Sequence, residues 1–136
     1  MVMLALFSSC SSVSEDLRKN PPVAAAEGKA TVDTDQFGSL PLEVETKNLP
    51  PPAQVSPGAD IYVVWVRPIH SLPNEPAEAA LPVQNVGALK MEGNKGSVKT
   101  NIPPLRNFQV FVTAESLPIG SNPASNPILW ADFSLG

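Results

Sequence analysis

The sequence predicts an all-β sandwich. Three observations carry that expectation. Seven short runs alternate apolar and polar residues with period two, no stretch shows a helical period, and sixteen prolines and eight glycines punctuate the 136 residues. Short alternating strands with turns between them are the signature of a two-sheet antiparallel fold. Hydrophobic residues make up 43 % of the chain, enough for a core, while charged residues make up only 16 %, below the roughly 25 % usual in soluble domains.

The runs fall at about 28–34, 40–48, 60–67, 84–91, 96–102, 107–115 and 127–134. In "KATVDTD", Ala30, Val32 and Thr34 share one face. In "LPLEVETKNL", Leu42, Val44 and Thr46 point inward and Glu43, Glu45 and Lys47 outward. With the Gly-bearing "DQFGS" between them, these two runs read as a hairpin. "PPPAQVSPGAD" is a loop, because four prolines without a donor cannot sit inside a sheet. "IYVVWVR" is apolar on both faces, the mark of a central or doubly covered strand. "PIHSLPNEPAEAALP" is a connection with one helical turn at 75–80. "VQNVGALKMEGNKGSVKTNI" reads as a second hairpin turning at Gly93-Asn94-Lys95-Gly96. "FQVFVTAE" alternates Phe108, Val110, Val112 and Ala114 against Gln109, Phe111, Thr113 and Glu115. "SLPIGSNPASNP" is a loop, and "ILWADFS" is the last strand. The expected core is Trp65, Val63, Val110, Val112, Leu129 and Phe133. A tryptophan on a central strand fits an immunoglobulin-like sandwich, without the disulfide, since Cys10 is the only cysteine.

That cysteine closes the apolar stretch "MVMLALFSSC". Phe7-Ser8-Ser9-Cys10 resembles the lipobox of bacterial lipoproteins, in which small residues fit the peptidase site and the cysteine takes the lipid. The expectation is therefore a signal segment over 1–9, a flexible tether over 10–27 and the sandwich over 28–136. It implies a membrane contact through lipid on Cys10 and a place in the cell envelope, on the extracytoplasmic face. The leader lacks a Lys or Arg and is shorter than a usual signal, so the expected true start lies upstream of Met1. The alternatives are an ordinary secretory signal, or a cytosolic chain with an incidental cysteine.

A net charge of −4, with nine scattered Lys and Arg, gives no basis for nucleic-acid binding. His70 is the only histidine, which rules out a four-ligand histidine–cysteine zinc site. No G-x-S-x-G elbow and no phosphate loop occurs. No catalytic residue, metal or cofactor is expected, and the chain reads as no enzyme. Asp33, Asp35, Glu43 and Glu45 form either a weak calcium site or a solvated face that protects an edge. Tyr62, Phe111 and Trp130 are the candidate binding surface, unless the sandwich covers both faces of their strands.

The stretches "IYVVWVRP", "NVGALKMEGNKGSVKTNIPP", "FQVFVTAES" and "SNPASNPILWADF" together resemble the extracytoplasmic C-terminal domain of anti-sigma-K-type factors, over residues 60–136. The earlier "LEVETKNLPPPAQVSPG" is similar to small uncharacterised envelope lipoproteins of like plan. The resemblance implies a β-sandwich outer module. Sigma binding in that family belongs to a helical cytoplasmic domain that this sequence does not show, so no functional residue carries over. Two functions remain open: a non-catalytic envelope interaction module with a protein partner, or a sensory and regulatory outer module.

Overall fold

A computed structural model describes residues 12–19, 25–34, 38–69, 83–120 and 123–135. Its strands, in chain order, are β1 (Ser12–Asp16), β2 (Arg18–Lys19), β3 (Glu27–Asp33), β4 (Leu40–Lys47), β5 (Ile61–Pro68), β6 (Gln84–Ala88), β7 (Lys90–Glu92), β8 (Lys95–Ile102), β9 (Asn107–Glu115) and β10 (Leu129–Ser134). One short helix, α1 (Pro52–Val55), interrupts the proline loop.

The strands form two antiparallel five-stranded sheets. Sheet 1 has the order β2-β10-β9-β5-β6, and sheet 2 the order β1-β3-β4-β8-β7. The fold is the sandwich that the alternation predicts. The central order, with β3-β4-β8-β7 facing β10-β9-β5-β6, places the strands as immunoglobulin-type sandwiches do.

The main core lies between the sheets. From sheet 2 come Ala30, Val32, Leu42 and Val44, and from sheet 1 Tyr62, Val64, Val66, Phe108, Val110, Val112, Leu129 and Phe133. Phe108 and Phe133 stand directly opposite on β9 and β10, with ring centroids 5.1 Å apart. Period two explains the rest. Along β4 the buried residues are Leu40, Leu42, Val44 and Thr46, and the carboxylates between them face out.

Of the expected core residues, Val110, Val112, Leu129 and Phe133 join this core. Val63 and Trp65 are buried too, but with Phe111 in a second cluster. They alternate with Tyr62 and Val64 along β5, so they occupy the opposite face. The expected immunoglobulin-like core tryptophan is therefore not found between the sheets, where Tyr62, Val64 and Val66 fill that face of β5.

Three further readings are corrected. The segment expected as a tether supplies β1 and β2 at residues 12–19. Val13 opposes Val32, and the Ser14 and Thr31 hydroxyls lie 2.9 Å apart. The expected strand at 84–91 breaks at Leu89 into β6 and β7, which belong to different sheets. The hairpin after it is tighter than predicted: only Gly93 and Asn94 turn, while Lys95 and Gly96 already lie in β8. Gly93 takes φ 65, the positive value that two-residue hairpins favour. The expected helical turn at 75–80 lies outside the described residues.

Both breaks do the same thing. At Leu17 the chain passes from sheet 2 to sheet 1, and at Leu89 from sheet 1 to sheet 2. Leu17 N–H donates to Gly28 O and Leu89 N–H to Tyr62 O, both at 2.9 Å, and both leucines are buried. Gly28 leaves the space that Leu17 fills, since a Cβ there would come within 2.6 Å of Leu17 Cδ1. Each edge strand of one sheet therefore continues into an edge strand of the other, and among the described residues these edge strands are short, two to five residues each, which limits stray pairing.

Replacing Leu17 by Ala is expected to cost about 2–3 kcal/mol, the lower part of the range for a buried leucine. It should also speed amide exchange at Ser14 and Lys19 while Val110 stays protected. Denaturant unfolding with hydrogen exchange checks this; a silent substitution would mean that the segment is a tether after all.

Candidate interaction surface

The outer face of sheet 1 carries the second apolar cluster. Trp65 of β5 lies directly opposite Phe111 of β9, which lies opposite Trp130 of β10. The Trp65 and Phe111 rings stack with centroids 6.4 Å apart, and the Arg67 guanidinium sits 6.0 Å from the Phe111 centroid. Ile61, Val83 and Trp130 are half-buried around them. The structure thus brings Phe111 and Trp130 together on one face. It buries Phe111, however, and places Tyr62 in the main core on the other face. The three do not form one exposed surface, because Tyr62 and Phe111 fall on opposite sides of the same sheet.

Tyr62 does a structural job. Its hydroxyl donates to Pro50 O and ties the proline loop to β5. Burial pushes its pKa up from 10.0 to about 12.

Beside the aromatic cluster runs a buried polar chain. Trp65 Nε1–H donates to Thr113 Oγ1 at 2.8 Å, the Thr113 hydroxyl donates to Glu115 Oε2 at 2.6 Å, and Ala124 N–H reaches both carboxylate oxygens at 3.1 Å. Thr113 is fully buried and Glu115 is 8 % exposed. The chain links β5, β9 and the loop before β10, and it satisfies every group it buries, as buried polar atoms require.

A second set of bonds holds the start of that loop. Asn85 of β6 donates from Nδ2 to Pro118 O at 3.0 Å and to Gly120 O at 3.4 Å, while its Oδ1 accepts from Gly87 N–H at 3.0 Å. With the carbonyls of residues 118 and 120 both turned to one side chain, the residues beside them project away. Leu117 is 62 % and Ile119 79 % exposed, the large exposed hydrophobics among the described residues. Sequence reasoning missed Asn85, Thr113, Glu115, Leu117 and Ile119. The one available signal was the pair of polar residues, Thr113 and Glu115, on the face that Phe111 makes apolar.

The carboxylates of the first hairpin face out on sheet 2 but alternate with lysines. Glu43 stands opposite Thr31 and Lys99, and Glu45 opposite Lys29 and Ser97. Asp33 and Glu43 border a hollow of about 410 Å³ that Lys99 also lines. These pairings make a mixed-charge face, and among the described residues no group of His, Cys, Asp and Glu is placed to hold a metal ion. Asp35, His70 and Cys10 lie outside the described residues. A larger hollow of about 600 Å³, lined mainly by apolar residues, opens where the proline loop meets the β6–β7 crossover. No helix among the described residues is long and apolar enough to cross a membrane.

No protein-family model, curated protein or solved structure matches this chain. The likeness to anti-sigma-K-type outer domains therefore rests on the quoted stretches alone.

Two expectations follow. Thr113→Val should cost about 1–3 kcal/mol, because it leaves the indole N–H and the carboxylate without their shared partner, and the Trp65 indole proton should exchange faster by NMR. For Tyr62, a folded-state pKa above the unfolded value means that the fold holds the proton longer. The associated stability is intact below pH 10 and falls as pH rises from 10 to about 12, by at most about 1.4 kcal/mol per unit. Tyr62→Phe should flatten that decline in a pH series of unfolding curves. Absorbance of the single tyrosine reports the titration directly.

Proposed function

We propose that this protein is a lipid-anchored β-sandwich of the bacterial cell envelope that acts by contact with another envelope protein and catalyses no reaction. One observation carries the contact reading: two groups of hydrogen bonds hold a loop whose apolar side chains, Leu117 and Ile119, face solvent. A folded chain gains nothing from fixing a backbone so that leucine and isoleucine meet water, whereas a contact element gains from being held ready, because ordering is then not charged against binding. The anchor is supported by Phe7-Ser8-Ser9-Cys10. The buried carboxylate, Glu115, is engaged in holding the loop and offers no free base.

A second reading follows from the sequence resemblance over residues 60–136, in which the sandwich is the outer, sensory module of a membrane regulator. Sigma-dependent transcription unchanged by deletion of the gene would remove it.

Mass spectrometry of the N-terminal peptide, after expression with the native upstream region in a bacterial host, tests the anchor. The expected product carries a diacylglyceryl group on Cys10 and lacks residues 1–9. An intact Met1 with a free thiol would refute lipid anchoring and leave the contact reading to stand or fall separately.

A further inference from the structure

We propose that the partner met by the tip is a second copy of this chain, the Leu117–Ile119 tip of each copy seated in the apolar groove of the other; this rests on the reading of the tip as a contact element and on no part of the lipid reading. The groove is lined chiefly by Pro50, Pro51, Pro52, Ile61, Leu89 and Met91, and its volume of about 600 Å³ lies within the ~300–1,000 Å³ of sites that enclose a ligand. It exists because β6 ends at Ala88, opposite Val63, and the chain then crosses to sheet 2. The first residue of β5, Ile61, is left without a neighbour from β6.

Tip and groove match in chemistry. Residues 116–120 carry no charge, and Asp60 is the single charged residue lining the groove. The tip does not fill its own groove, since Ile119 is 79 % exposed while its backbone neighbours are bonded to Asn85. They also match in place. Asn85, which holds the tip, lies in β6, and the groove begins at Leu89, directly after β6. Both thus flank one edge of the sandwich, so a two-fold axis beside that edge sets each tip against the other copy's groove. Such an isologous pair makes both contacts at once. A partner that meets the tip once leaves the groove beside it open, whereas a second copy fills both.

Sedimentation of the full chain carrying Cys10→Ser, across a concentration series, tests this without interference from the thiol. The expected result is a monomer–dimer equilibrium that Ile119→Asp and Pro51→Glu each weaken by roughly tenfold or more. Both positions are solvent-exposed, so folding should persist, which circular dichroism verifies; Asn94→Arg is a second block on the groove. An equimolar mixture of the Ile119→Asp and Pro51→Glu chains should associate better than either alone, because the mixed pair keeps one intact tip facing one intact groove. A parent chain that stays monomeric, variants that dimerise normally, or a mixture no better than its components would each overturn the pairing. So would a monomer that instead binds phosphatidylethanolamine–phosphatidylglycerol vesicles through Ile119, which would assign the tip to a bilayer. The lipid on Cys10 is read by mass in a separate experiment, so either idea can fail alone.

Discussion

The double burial of β5 is the constraint on which the rest of the structure depends. Five consecutive residues, Tyr62 to Val66, are essentially inaccessible to water. Tyr62, Val64 and Val66 close the space between the sheets, and Val63 and Trp65 anchor the outer cluster. A strand covered on both faces needs neighbours on both sides, and β9 and β6 supply them. The outer face then cannot be plain solvent-facing sheet. Trp65 brings an indole N–H into that cover, and a buried donor must be paired. Thr113 supplies the partner and Glu115 completes the chain, so the loop that Glu115 holds is a consequence of placing a tryptophan at position 65.

The second organising feature is the pair of crossovers. Open sandwiches have four exposed edges, each a template for unwanted pairing. Here Leu17 and Leu89 carry one chain segment each from sheet to sheet, and their side chains plug the seam between the layers. The same crossover that ends β6 at Leu89 opens the groove beside β5, because a strand that leaves one sheet stops covering its neighbour.

The sequence shows most of the sandwich plainly. Leu42, Val44 and Thr46, or Phe108, Val110 and Val112, alternate so regularly that only a strand can bury them together. It conceals β1 and β2 because "SVSED" has a single apolar residue, Val13, and is held by backbone pairing with β3 rather than by its own hydrophobicity. It conceals the break at Leu89 because an alternating run looks the same whether it stays in one sheet or changes sheets; only the register against β5 and β8 distinguishes them. Of the predicted surface, Phe111 and Trp130 share a face because both lie at matched positions of neighbouring strands. Tyr62 does not, since two apolar faces of one strand cannot be assigned inward or outward from sequence alone. The Asn85–Pro118 bond is invisible for a simpler reason: it joins a strand residue to a loop without periodicity 33 positions away.

These threads meet at the outer flank of sheet 1. A carboxylate at 8 % exposure is costly to bury unless its oxygens are bonded, and both Glu115 oxygens are. Its partners lie on β9 and on the loop before β10, so the bonds hold the later half of that loop to the sheet. Asn85 holds the earlier half to β6. From residue 116 to residue 124 the chain carries no charged side chain, and Leu117 and Ile119 are its large apolar ones. The described parts of the loop are thus tied to the sheet at residues 118, 120 and 124. On the proposed contact reading its apolar tip is a preorganised element, and the work left for binding is the removal of water from two side chains rather than the folding of a segment.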